Sequence, residues 1–362
     1  MALRPPRLPP LPALRDFINI YQLKAKKQLS QNYLMDMNLS RKLVKSAGHL
    51  EGATVLEVGP GPGGITRAIL ERNCRRLDVV EIDDRFLPAL ELLAEASVGR
   101  MSVHNEDVMK FDVGKLWEEA GVPKSEWIES APNLHIIGNL PFNISTPLII
   151  RYLRAMADRT GPWSFGRVPL TLTFQKEVGE RIVAPIAHPQ RSRLSIMSQF
   201  VAEPKLLFII PGNCFVPAPE VDVAVVKFLP RDEPLIRAPF ELVEKVCRHL
   251  FHYRRKFSFK AALTLYPTDL AEELTHEMYR RCRISPQTLC TRLGMEEVRD
   301  MCYLYEEQCR RIPGLFLFDY RKPKSLDELA AATGALPRHY RFSMKQLPPD
   351  GVTLKQFDKE AI

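Results

Sequence analysis

The 362 residues carry 51 Lys+Arg against 43 Asp+Glu, a formal charge of +8. That length points to two domains, and the basic balance favours a polyanionic partner. Seven cysteines, odd in number and with no C-x-x-C pair, argue against a disulfide framework or zinc site and for buried thiols in a reducing compartment. No apolar run reaches membrane-spanning length, so a soluble chain without a membrane partner is expected.

The first twelve residues hold Arg4, Arg7 and five prolines, and the first acid is Asp16. A basic, acid-free start over residues 1–19 suggests a mitochondrial targeting leader, although its prolines break an amphipathic helix; an unaddressed disordered leader is the alternative. Leu14–Leu23 reads as helix, followed by the Lys24/Lys26/Lys27 cluster and the mixed segment Gln28–Leu34. Ser40–Ala47 is predicted as a helix capped by Ser40 or Asn38 and ended by Gly48.

Thr54–Val58 is short, β-branched and apolar, the pattern of a buried parallel strand. Gly59, Gly61, Gly63 and Gly64 follow, and then a helix over Ile65–Leu70. Glycines between strand and helix let backbone approach a ligand, because no Cβ intervenes. Glu57, a carboxylate inside the apolar strand, is expected to meet backbone amides or a ligand cation.

Strands Arg76–Ile82, Met101–His104 and His135–Gly138 then alternate with helices, among them Arg85–Ala96 and Ile144–Met156. Val168–Phe174 is a further strand, before the helix Gln175–Ile182. Lys205–Ile210 and Val221–Leu229 look like an edge hairpin. Alternation of this kind gives a parallel, doubly wound α/β sheet with ligands at the carboxyl ends of its strands. Glu57/Gly59, Glu81, Asp107 and Asn139 all stand at such ends. From about Pro234 the pattern turns helical, with Phe240–Phe251, Leu270–Arg281 and Met295–Arg310. Residues 20–233, 234–321 and 322–362 are therefore expected as a Rossmann-like domain, a smaller helical domain and an irregular tail.

A nucleoside at those strand ends would set Glu81 against the ribose hydroxyls and Asp107, with Val108 backbone, against an adenine edge. A dinucleotide and S-adenosylmethionine satisfy these contacts equally. Asn139-Leu140-Pro141-Phe142 separates them, since it has no evident use in hydride transfer. The Asn139 amide and Leu140 carbonyl offer two acceptors to a planar amine, Pro141 frees that carbonyl, and Phe142 offers a stacking face.

Gln31–Leu34, Glu57–Gly64, Glu81-x-Asp83, Asp107-Val108, Asn139–Ser145 and Phe215–Pro219 occur in this order. Together they resemble the ribosomal RNA adenine dimethyltransferase family over roughly residues 20–310, and most of all its animal mitochondrial branch. The resemblance implies S-adenosylmethionine as cofactor, contacted by Asn32, Leu34, Gly59, Gly61, Glu81, Ile82, Asp107, Val108 and Asn139. It implies methyl transfer to two adjacent adenines of a hairpin near the 3′ end of small-subunit ribosomal RNA. Phe215 becomes a second stacking face. It also implies a monomer in the mitochondrial matrix that serves the assembling small ribosomal subunit. The branch is also described as transcription factors, so a transcription accessory with a vestigial transferase site is the competing reading. Lys26, Lys27, Arg191, Arg193, Arg254, Arg255 and Lys256 are the candidate RNA contacts, cations interleaved with aromatics in the last cluster.

Overall fold

The buried strands form because their residues are apolar on both faces. In the computed structural model, which describes residues 8–11, 32–253 and 256–333, nine strands are present: β1 (Tyr33–Leu34), β2 (Thr54–Val58), β3 (Arg76–Glu81), β4 (Met101–Asn105), β5 (Leu134–Gly138), β6 (Leu170–Gln175), β7 (Ala202–Ile210), β8 (Phe215–Val216) and β9 (Val223–Pro230). Seven of them make one sheet in the order β4-β3-β2-β5-β6-β9-β7, and β1 pairs with β8 in a separate ladder. Strands β4 to β6 run parallel, while β9 is antiparallel to both β6 and β7. β2 and β5 are buried along their whole length, as their largely apolar runs favour, with Glu57 and His135 the ionisable exceptions.

From β2 the chain winds outward through β3 and β4, then returns to β5 on the other side of β2. That reversal leaves a crevice outside the carboxyl ends of β2 and β5, where Val58 stands opposite Gly138. A Cβ at Gly138 would lie 2.9 Å from the Val58 carbonyl oxygen. Glycine is what lets the two strands meet there.

Local chemistry corrects one predicted boundary. The helix expected over Ser40–Ala47 runs from Met37 to Ala47, capped by Asp36. Its Oδ1 accepts the N–H groups of Asn38 and Leu39 at 2.7 and 3.1 Å. Ser40 sits inside the first turn and donates its hydroxyl to the Asp36 carbonyl. Helices Val113–Glu119, Arg193–Val201 and Leu326–Thr333 go beyond those expected from periodicity; the first is seven residues long and starts at Asp112, which accepts the Lys115 N–H.

Part of the leader is ordered against the sheet's cover. Leu8 packs on the core cluster that contains Leu34, Ile65 and Phe215. Arg67 donates to the carbonyls of Pro9 and Pro10 at 2.9 and 3.3 Å, and to those of Pro62 and Gly63 at 2.8 Å each. One buried guanidinium therefore ties residues 9–10 to the glycine loop. The predicted helix Leu14–Leu23 and the cluster Lys24, Lys26 and Lys27 lie outside the described residues.

The chain divides into two compact units, 1–183 with 202–232 and 184–201 with 233–362. The first contains the sheet. In the second, Lys245 is buried on the helix Phe240–Leu250 and donates to the carbonyls of Leu315, Phe316 and Phe318. Among the described residues no helix is long and apolar enough to cross a membrane.

Candidate active site

The glycine stretch leaves β2 with Gly59 and Gly61 at φ of +66° and +51°, a backbone region that side chains strain to enter. At Gly61 a Cβ would also lie 2.7 Å from the Tyr33 ring. Where the loop leaves β2, Gly59 borders a cavity lined also by Asn32, Tyr33, Val58, Val80, Glu81, Ile82, the stretch Glu106–Met109, and Asn139, Leu140, Pro141, Asn143 and Ile144. The ends of four parallel strands thus converge on one space.

Glu81 ends β3 and is 3% exposed. Its two oxygens accept the N–H of Gly61 and the N–H of Asp83, each at 2.9 Å. Burial raises its pKa, the two amides pull it back, and the Asp83 charge raises it further. Glu57 is more deeply placed, at 1% exposure, and among the described residues neither of its oxygens has a hydrogen-bond partner. Burial pushes it to about 8; Thr66 and Arg67 act to lower it and Glu81 to raise it. Thr66 is near enough to act on the charge, but its hydroxyl makes no hydrogen bond among the described residues. Glu57 is therefore mostly protonated at neutral pH.

At the third strand end Asp107 accepts the Met109 N–H at 2.9 Å through Oδ1. Arg151 donates to the carbonyls of Val108 and Met109. The loop that would face an adenine edge is thus fixed from behind. At the fourth end the Asn139 amide donates through Nδ2 to the Asn32 carbonyl, 2.8 Å away, and its Oδ1 accepts the Thr173 hydroxyl at 2.8 Å. The Pro141 carbonyl accepts from Ile144 and Ser145 and opens the helix Phe142–Asp158.

Several expected contacts fall elsewhere. Leu34 is 4% exposed and points into the core cluster, so it does not line the cavity. Gly61 acts through its N–H on Glu81. Phe215 is 2% exposed, opposite Leu34 in the β1–β8 ladder; buried there, it offers no face to a base. Phe142 is half-buried against the same cluster. Arg191 is 1% exposed and donates to the carbonyls of Leu293 and Ala184 at 3.1 and 3.0 Å. It is an internal brace of the helical unit, not a phosphate contact. Arg193 is half-buried and Lys256 exposed; Lys26, Lys27, Arg254 and Arg255 lie outside the described residues. Glu106 and Met109 were legible as neighbours of Asp107 and Val108. Thr173 and Arg151 carried no sequence signal, since each reads as an ordinary residue of its strand or helix.

This sheet, with its glycine loop and strand-end acids, is the fold of an S-adenosylmethionine-dependent methyltransferase. Residues 22–306 match the ribosomal RNA adenine dimethylase family, and the chain belongs to it as an rRNA adenine dimethyltransferase. It is 57% identical to the mitochondrial dimethyladenosine transferase 1 of Caenorhabditis elegans over 335 residues, covering 91% of each chain. It is 45% identical to that of Homo sapiens over 316 residues, 87% of this chain and 91% of the other. Both names specify the mitochondrion, which supports a mitochondrial location here. Among solved structures, a dimethyladenosine transferase from Plasmodium falciparum has the same fold, with TM-score 0.55 at 18% identity over 75% of this chain and 95% of that one. The 23S rRNA methyltransferase ErmE gives 0.52 at 21% identity, over 75% and 99%.

Proposed function

We propose that this enzyme dimethylates two adjacent adenines in the 3′-terminal hairpin of mitochondrial small-subunit ribosomal RNA, in the matrix and during assembly of the small subunit. The observation that carries the reading is the pair Asn139–Leu140 at the cavity, held between β5 and the start of the helix Phe142–Asp158.

The cavity suits the cofactor. Glu81 presents a buried carboxylate to ribose hydroxyls, Asp107 and Val108 present an edge to adenine, and Gly59 leaves room for close backbone approach. When bound, S-adenosylmethionine supplies an electrophilic methyl group on sulfur. The rest of the work belongs to the chain. An adenine amine is a weak nucleophile because its lone pair is delocalised into the ring. Asn139 Oδ1 keeps one lone pair after accepting from Thr173, and with the Leu140 carbonyl it can hold both amine hydrogens and orient the nitrogen. Such catalysis rests on positioning more than on a strong base. Phe142 would stack on the base once it leaves its helix.

The test is methyl transfer from labelled cofactor to the synthetic hairpin, with nucleoside analysis of the product. Label is expected as dimethyladenosine at the two adjacent positions, and absent from a hairpin carrying guanosine there. Label that persists in the guanosine hairpin would refute the reading.

A further inference from the structure

We propose that Thr173 is a positioning residue for methyl transfer, fixing the Asn139 amide through its hydroxyl. The inference rests on the role given above to Asn139. Thr173 lies in β6, fully buried, and is not among the residues lining the cavity. It can act on the reaction only through a neighbour.

The geometry assigns its direction. An asparagine amide fits the same space in two orientations related by a half turn, and hydrogen bonding decides between them. The Asn32 carbonyl can only accept, so it must face Nδ2, at 2.8 Å. Oδ1 is then turned to Thr173 Oγ1, also at 2.8 Å, and the hydroxyl must donate. The amide is gripped at both ends by groups from β6 and from the segment preceding β1. One lone pair of Oδ1 remains for the target amine.

Packing alone does not require this hydroxyl. Thr173 stands opposite Val225 of β9 and between the buried Leu172 and Phe174, and valine has the same shape. A valine would keep the β-branched fit while leaving the Asn139 amide held at its Nδ2 end only. The amide would then sample orientations in which its oxygen no longer meets the amine.

The experiment compares Thr173→Val, Thr173→Ser, Asn139→Ala and the Thr173→Val/Asn139→Ala double variant of the full chain. Single-turnover methylation of the hairpin is measured at saturating cofactor, alongside cofactor affinity and thermal melting. Thr173→Val should slow methylation by about tenfold, the scale of one neutral hydrogen bond, with melting and cofactor affinity nearly unchanged. Thr173→Ser should restore the rate to within about threefold of wild type, since it keeps the donor. The double variant should be no slower than Asn139→Ala alone, because the hydroxyl acts through that amide. A wild-type rate for Thr173→Val beside a slow Asn139→Ala overturns the proposal and leaves the pocket reading intact. A wild-type rate for Asn139→Ala overturns both. A double variant slower than Asn139→Ala by the full Thr173→Val factor shows the two acting independently, which also overturns it.

Discussion

Glu81 accepts the backbone N–H of Gly61 at 2.9 Å, so the acid ending β3 also shapes the glycine loop leaving β2. The same carboxylate lines the cavity. One side chain therefore sets the loop and, on the function proposed above, would meet the cofactor's ribose. Glu81→Gln keeps the shape but turns an amide donor toward one of two backbone N–H donors. Loss of a charge-assisted acceptor is worth about 1.5–3 kcal/mol, or roughly tenfold to a hundredfold in affinity for S-adenosylmethionine. Calorimetry on the folded variant measures it. Unchanged affinity would remove Glu81 from the cofactor site.

Glu57 makes a prediction in pH. Its ordinary value of 4.5 becomes about 8 in the fold, chiefly through burial. Between those values the folded chain binds more protons than the unfolded one. The contribution is thus fully present below about 4.5 and is lost as the pH rises through about 8. Glu57→Gln removes the titration in a side chain of the same shape. Its melting temperature should fall less than that of wild type between pH 5 and 8.5, by an amount on the order of a few kcal/mol in stability at the upper end. Parallel curves for the two proteins would mean that Glu57 ionises normally.

The sheet was legible because its central parallel strands are mostly apolar, and the strand-end acids were legible because they interrupt that pattern. Asn139 stood out for the same reason. Other residues depend on partners far along the chain. Arg191 sits in a basic stretch that reads as surface, yet its Nε partner, Leu293, is 102 residues away. Phe215 follows a Pro-Gly loop and looks available, but pairing with β1 buries it. Asp36 is hidden as a cap because Ser40 and Asn38 fit the same rule. Thr173 has the β-branched side chain any strand favours, and only the fold brings its hydroxyl to Asn139.

The basic residues divide by burial. Arg191→Ala would strand the Leu293 carbonyl inside the helical unit, while the Ala184 carbonyl keeps its bond from the Gln199 amide at 3.0 Å. It should cost about 1–3 kcal/mol of stability, the penalty for one buried group left unsatisfied. The salt dependence of RNA binding should not change. Lys256 is exposed and Arg193 half-buried. Neutralising either should leave melting nearly unchanged and make the log–log salt slope of hairpin binding shallower by about one for each phosphate no longer neutralised. Melting curves and filter binding across a salt series separate the two behaviours. A shallower slope for a stably folded Arg191→Ala would return that residue to the RNA surface.

Phe142 tests how the base is captured. It opens the helix Phe142–Asp158 beside Asn139–Pro141, half-buried against the core cluster. A stacking face contributes about 1–3 kcal/mol per base. Phe142→Ala should therefore raise the KM for the hairpin roughly fivefold to a hundredfold while cofactor affinity holds. Part of any loss could come from packing, because the ring also touches the core. Phe142→Leu keeps apolar volume without a π-face, and Phe142→Tyr keeps the face and adds a hydroxyl. Stacking predicts that the tyrosine variant binds hairpin like wild type and that the leucine variant resembles alanine in KM while melting nearer to wild type. If leucine matches phenylalanine in KM, the ring serves the core alone, and the flipped adenine must be held by Asn139 and Leu140 without it.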